Sequence, residues 1–206
     1  ELTGQIARQY VDGGGPDVIL GGGRNAWSSG DLLGRARAAG YGYADTAAAL
    51  TGAPDAKLLG LFGDEQLWEA DGTPPPSLAM LTTAALDRLS TGPDGFFLFV
   101  EEEGIDEASH ANDGDAMLTA MPSLDEAVGA ARRFVAANPE TLLIVTGDHE
   151  TGGLSLDKGS GLRWRTGEHT DTPTLVFATG PGSDQLTGDW PNTHMHDVLT
   201  GTLLSA

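Results

Sequence analysis

The chain has no cysteine among its 206 residues. Disulfide staples and thiolate metal sites are therefore excluded, and the redox compartment is left open. Cations are also scarce: 11 Lys and Arg stand against 30 Asp and Glu, for a formal net charge of -19. So acidic a surface is a poor match for nucleic acid, whose phosphates need cationic contacts, and for anionic lipid. It reads first as a solvated coat that favours solubility, and second as the mark of a saline or metal-rich habitat. An acidic protein can still hold phosphate where bound cations supply the local positive charge. No apolar run approaches the roughly 18 residues of a membrane span. The sequence opens on Glu1 in a helical pattern, without Met or a signal-peptide pattern, which sets the expectation of a processed or truncated product. Its length suffices for one full core or a large piece of a bigger one.

Helical and strand patterns alternate along what is there. Residues 2–12 have a helical pattern, and residues 16–23 form a short apolar run ending in glycines. Asp31 is positioned as an N-cap for a helix ending at Gly40. Lys57 to Phe62 and Phe96 to Val100 read as buried strands, separated by a rigid Thr73-Pro74-Pro75-Pro76 connector and a helix that Ser77 caps. Ser123 and Glu126 fit a capping box for a helix that Pro139 stops. Leu142 to Val145 and Leu175 to Ala178 are further strands, and a helix from about Thr193 closes the chain. Apolar strands alternating with amphipathic helices predict an α/β fold in one domain over residues 1–206, an α/β/α sandwich with a mostly parallel central sheet.

In such sheets ligands gather at the carboxyl ends of strands. Two stretches at strand exits are rich in carboxylates and imidazoles: residues 101–110, with Glu101, Asp106 and His110, and residues 146–153, with Asp148 and His149. Asp106 and His110 are four apart, so a helical turn sets them on one face, where they can share a cation. Oxygen and nitrogen ligands in this combination suit Zn²⁺ and Mg²⁺. Gly147, Gly152 and Gly153 permit close backbone approach. A polar loop adds Gly167-Glu168-His169-Thr170. Taken singly, each piece has an ordinary reading, as a surface ion pair, a satisfied core histidine or an exposed loop histidine.

Taken together, the order and spacing of Glu101, Asp106 and His110, then Thr146-Gly147-Asp148-His149-Glu150-Thr151-Gly152-Gly153, then Glu168-His169-Thr170, resemble the carboxyl-terminal part of bacterial-type alkaline phosphatases. Residues 16–23, 57–62, 110–113 and 180–182 are similar to the same family. The resemblance implies three metals: one Zn²⁺ on Asp106, His110 and His169, a second Zn²⁺ on Asp148 and His149, and Mg²⁺ on Glu101. It implies hydrolysis of phosphomonoesters to inorganic phosphate through a phosphoserine, a periplasmic or secreted parent protein, and a possible homodimer. Two cations about 4 Å apart can clamp an in-line phosphoryl transfer.

The family's nucleophilic Ser and its phosphate-binding Arg have no counterpart in this chain. Thr46, in Ala44-Asp45-Thr46-Ala47-Ala48, imitates the nucleophile's signature, but its neighbours match a later family segment. The missing N-terminal portion of the parent is therefore the expected partner, and the chain alone is expected to be inactive, and poorly soluble or oligomeric. Glu107 stands where relatives often carry a residue near the phosphate, His194 and His196 have no family role, and Arg163 and Arg165 read as solvated loop residues. The alternatives are a non-catalytic metal-binding fragment and a phosphomutase or sulfatase relative.

Overall fold

The computed structural model describes residues 2–28, 30–52, 57–67, 75–159 and 161–203. Two compact units emerge, Glu1–Pro93 and Asp94–Ala206. The first contains α1 (Leu2–Asp12), β1 (Val18–Gly21), α2 (Arg24–Trp27), α3 (Leu32–Ala38), β2 (Tyr41–Ala44), α4 (Ala47–Gly52), β3 (Lys57–Leu61) and α5 (Leu78–Leu89). Its sheet runs β1-β3-β2 with both ladders parallel. Parallel neighbours need crossovers, which α2–α3 and α4 supply.

β3 explains why this unit is layered. Its side chains alternate, Leu59 and Leu61 joining Trp27, Leu32 and Tyr41 in one cluster. Leu58 joins Ala44, Leu50 and Leu81 in the other. A central strand buried on both faces needs apolar residues at every position, and Leu58, Leu59 and Leu61 are each at most 1% exposed. Gly60 is required between them, because a Cβ there would lie 2.7 Å from Leu20 Cδ2. Ser77 caps α5 as expected, accepting from the Met80 N–H at 3.2 Å. Asp31 does not cap α3: its backbone is left-handed (φ 54°) and its side chain makes no capping bond. Thr73 and Pro74 lie outside the described residues.

The second unit contains α6 (Gly104–His110), α7 (Gly114–Ala137), β4 (Leu143–Thr146), β5 (Glu150–Thr151), β6 (Ser155–Asp157), β7 (Gly161–Arg163), β8 (His169–Thr170), β9 (Val176–Thr179), a 3-10 turn (Ser183–Leu186) and α8 (Thr193–Leu203). Its ladders, β4-β9, β5-β8 and β6-β7, are antiparallel.

Two expectations change here. Ser123 opens no helix, because Asp113 does so upstream: its carboxylate accepts the Ala116 N–H at 3.0 Å, and α7 then runs through Pro122. Phe96 to Val100 is not a strand, having no ladder partner among the described residues. It is also not fully buried. Phe96 meets the Phe134 ring of α7 edge-on at 5.9 Å, whereas Phe97 and Phe99 are 58% and 71% exposed.

Candidate metal centre

α6 presents Asp106 and His110 on one face, with His110 Nε2 3.2 Å from Asp106 Oδ2. The third member arrives through the sheet. β5 pairs with β8 so that Thr151 stands opposite His169. His169 Nε2 then lies 3.0 Å from His110 Nε2 and 3.7 Å from Asp106 Oδ1. One ligand atom from each of Asp106, His110 and His169 falls within 4.8 Å of the others.

Hydrogen bonds behind the rings decide which nitrogens face inward. His110 Nδ1 is 2.6 Å from the Gly167 carbonyl oxygen. That oxygen only accepts, so Nδ1 carries the proton and Nε2 keeps its lone pair toward the site. Thr151 Oγ1 donates to Asp106 Oδ1 at 2.5 Å. With its proton committed, the hydroxyl accepts from His149 Nδ1 at 3.1 Å. His149 Nε2 is thereby freed, 3.3 Å from Asp148 Oδ2. The His149 and His169 rings stack with centroids 3.5 Å apart.

Two imidazole nitrogens at 3.0 Å repel unless one holds a proton or both face a shared cation. The His110 value is raised, first by the hydrogen bond to Gly167 and further by Asp106, Glu107 and Glu168, against some desolvation, so a second proton at Nε2 competes with a cation for the lone pair there. An Asp/His/His set aimed through Nε2 fits zinc, which takes imidazole nitrogen and carboxylate oxygen.

Glu101 is exposed and stands outside the Asp106-His110-His169 group. It belongs to the same electrostatic neighbourhood, however. The Glu103 carboxyl is raised by burial first, then by the charges of Glu101, Asp106, Glu107 and Asp148. Thr46 Oγ1 accepts the Ala49 N–H at 3.2 Å at the start of α4. His194 Nε2 donates to the Gln185 carbonyl at 2.9 Å, and the His196 side chain is 81% exposed. Arg163 pairs with Asp157 at 2.7 Å.

Sequence reasoning quoted Glu150, Thr151 and Gly167 within its motifs but assigned none of them a task. Glu150 accepts from the Gly153 N–H at 3.1 Å, the Leu154 N–H at 2.9 Å and the Thr170 hydroxyl, tying the turn after β5 to β8. Its carboxyl is held below the ordinary value by the Thr170 hydroxyl first, then by the two backbone N–H groups and Arg165, with desolvation opposing. A lowered folded value means this stabilisation is present above the unfolded pKa of 4.5 and is lost as pH falls through the folded value. Glu150→Gln is accordingly expected to melt lower than the parent chain at pH 7. The gap should close on acidification below pH 4.5, as followed by circular dichroism at a series of pH values.

Gly152 has φ +86°, and a Cβ there would lie 2.3 Å from Trp164 Cε3. Gly152→Ala is expected to destabilise the unit by about 1–3 kcal/mol through overpacking. A clear drop in thermal midpoint would register this, and an unchanged midpoint would show that neither the left-handed backbone nor the Trp164 contact constrains this position.

These features can be set against known proteins. A family model described as alkaline phosphatase matches residues 1–162. The chain belongs to the alkaline phosphatase family. Alkaline phosphatase 4 of Bacillus subtilis is 37% identical over 169 residues, covering 78% of this chain and 37% of that protein. Streptomycin-6-phosphate phosphatase of Streptomyces griseus is 33% identical over 262 residues, covering 97% of this chain and 58% of the relative. That alignment is longer than the chain itself, so the relative carries residues within the matched span that are absent here. The crystal structure of a cold-active alkaline phosphatase from a psychrophilic Shewanella superposes with TM-score 0.89 at 27% identity, over 98% of this chain and 68% of that one. The alkaline phosphatase from the Antarctic bacterium TAB5 gives 0.83 at 28% identity. The fold is thus α/β and alkaline-phosphatase-like, and the chain spans 37% and 58% of the two curated relatives named. No helix among the described residues is long and apolar enough to cross a membrane.

Proposed function

We propose that this chain is the metal-binding part of a phosphomonoesterase, whose parent protein hydrolyses phosphomonoesters to inorganic phosphate through a phosphoserine. Asp106, His110 and His169 would hold one zinc, Asp148 and His149 a second, and Glu101 a magnesium. The observation that carries this reading is the convergence of Asp106 with the Nε2 atoms of His110 and His169, each fixed from behind by Gly167, Thr151 or the β5-β8 ladder. Metal bound there supplies Lewis acidity toward a phosphoryl oxygen. The chain's own part is to orient these ligands before metal arrives, so that little reorganisation is needed on binding.

The serine and the phosphate-gripping arginine would come from an N-terminal portion of the same protein, in keeping with the share of the relatives that the chain spans. Residues 1–206 would form one domain, as the match to the Shewanella enzyme over 98% of the chain supports. Periplasmic or secreted placement and a homodimer are further parts of the proposal.

The test is hydrolysis of a chromogenic phosphomonoester at alkaline pH, with added Zn²⁺ and Mg²⁺ and with a chelator control. The chain alone is expected to bind zinc without turnover, and the full-length parent to turn over in a chelator-sensitive way. Turnover by the chain alone would place the nucleophile within it. A folded chain that binds no zinc would sink the metal assignment.

A further inference from the structure

Beside the metal centre lies a shallow depression of about 640 Å³, bounded by Asn112, Asp113, Asp115, Leu118, Leu162 and Trp164. It is continuous with the centre through two elements. Asn112 follows closely on His110 and, with its amide oriented to donate, gives an N–H to the Thr166 carbonyl at 2.7 Å. The Trp164 ring rests on Gly152, the neighbour of Thr151, whose hydroxyl holds Asp106.

Its chemistry is mixed in a particular way. Leu162 packs so closely on Gly114 that a Cβ there would lie 2.8 Å from Leu162 Cδ1. Trp164 is half-buried and Leu118 is 55% exposed, so these two and Leu162 supply the apolar part of a lining that is otherwise polar. The rim is negative. The N-terminus of α7 offers only about half a positive charge, which Asp113 meets by capping Ala116, leaving Asp115 exposed and in excess. An indole face flanked by carboxylate favours an organic cation, through cation–π attraction and charge together.

We propose that this depression is a specificity subsite that seats the alcohol portion of the phosphomonoester, and that it selects alcohols bearing a ring and a cationic nitrogen. The inference rests on the phosphomonoesterase reading above. A small alcohol suits a depression whose lining begins at Ala111, the residue after His110, whereas an anionic one meets Asp115 and an overall charge of -19.

The test separates the two proposals. Benzylammonium, with benzyl alcohol as its neutral counterpart, is titrated into the metal-free 206-residue chain, and affinities are read from the probe's own NMR signals. Benzylammonium is expected to saturate and to bind about three- to fivefold more tightly than benzyl alcohol, the size that an exposed ionic contact gives. Trp164→Ala should abolish binding of both probes, and Asp115→Asn should erase the difference between them. Because Trp164 also rests on Gly152, Leu118→Ala provides an independent variant on an exposed helix position. It should weaken both probes while leaving zinc affinity unchanged. Absence of saturation, equal affinity of the two probes, or binding indifferent to Trp164→Ala and Leu118→Ala overturns the subsite. Zinc titration of the same chain, run in parallel, reports on the metal assignment alone.

Discussion

Asp106→Ala is expected to lower the zinc affinity of this chain by more than about 100-fold, the largest effect of any single substitution in the centre. The reason is that three imidazoles depend on one carboxylate. Asp106 Oδ2 faces His110 Nε2 at 3.2 Å, and Oδ1 faces His169 Nε2 at 3.7 Å. Oδ1 also accepts the hydrogen bond of the Thr151 hydroxyl, which leaves that hydroxyl an acceptor for His149. Removing Asp106 deletes a ligand and also frees the tautomer of His149. Substituting only the support should cost less. Thr151→Val keeps every ligand but loses the orientation of two of them, and changes behind a ligand typically cost 10–100-fold in metal affinity. Competition with a chromophoric zinc chelator at pH 7.5 gives the affinities of parent, Asp106→Ala and Thr151→Val. If Asp106→Ala binds zinc as tightly as the parent, the ion is held elsewhere. If Thr151→Val loses as much as Asp106→Ala, the hydroxyl is itself a ligand.

The difference between those two substitutions also marks where the sequence was legible. The spacing of Asp106 and His110 is local, so a single turn of α6 was enough to predict their shared face. β3 was legible for the same reason, since a short run of leucines bounded by polar residues can be recognised without knowing its neighbours. The role of Thr151 was not legible. It depends on β5 meeting β8 in the register that sets Thr151 against His169, and nothing in either segment encodes the pairing. Ser123 misled for a related reason: its capping-box pattern is sound locally, yet Asp113 had already satisfied the start of α7, and a helix under way has no use for a second cap. Phe96 to Val100 shows the limit of propensity. Aromatic and branched residues make a plausible strand, but a strand exists only when a partner accepts its hydrogen bonds.

That unpartnered segment leads to the second large effect. The isolated chain is expected to self-associate, and increasingly so as salt is raised. Along residues 96–99 exposure alternates, with Phe96 against α7 and Phe97 and Phe99 turned out to solvent. β9 repeats the pattern: Val176 and Ala178 are half-buried, while Leu175 and Phe177 are 74% and 65% exposed. In α/β folds both sheet faces are ordinarily covered, and each such side chain gains roughly 1.5–3 kcal/mol on full burial. Several exposed together form the kind of apolar patch that monomers rarely tolerate. Opposing this is the net charge of -19, which keeps copies apart at low ionic strength. The screening length falls from about 30 Å at 0.01 M salt to about 8 Å at 0.15 M, so added salt removes the repulsion and leaves the apolar attraction intact. Light scattering should therefore show a small species in dilute buffer and growing mass in 0.5 M NaCl. Replacing Phe97, Phe99 and Phe177 by threonine, which keeps β-propensity, should hold the chain monomeric in both buffers without altering zinc affinity, since none of the three lies among the proposed ligands. A parent chain that stays monomeric in high salt would mean that these faces are covered within the 206 residues. Association that persists in the triple variant would move the sticky surface elsewhere. Association suppressed both by the variant and by supplying the N-terminal portion of the parent protein would identify this face as the one that portion covers.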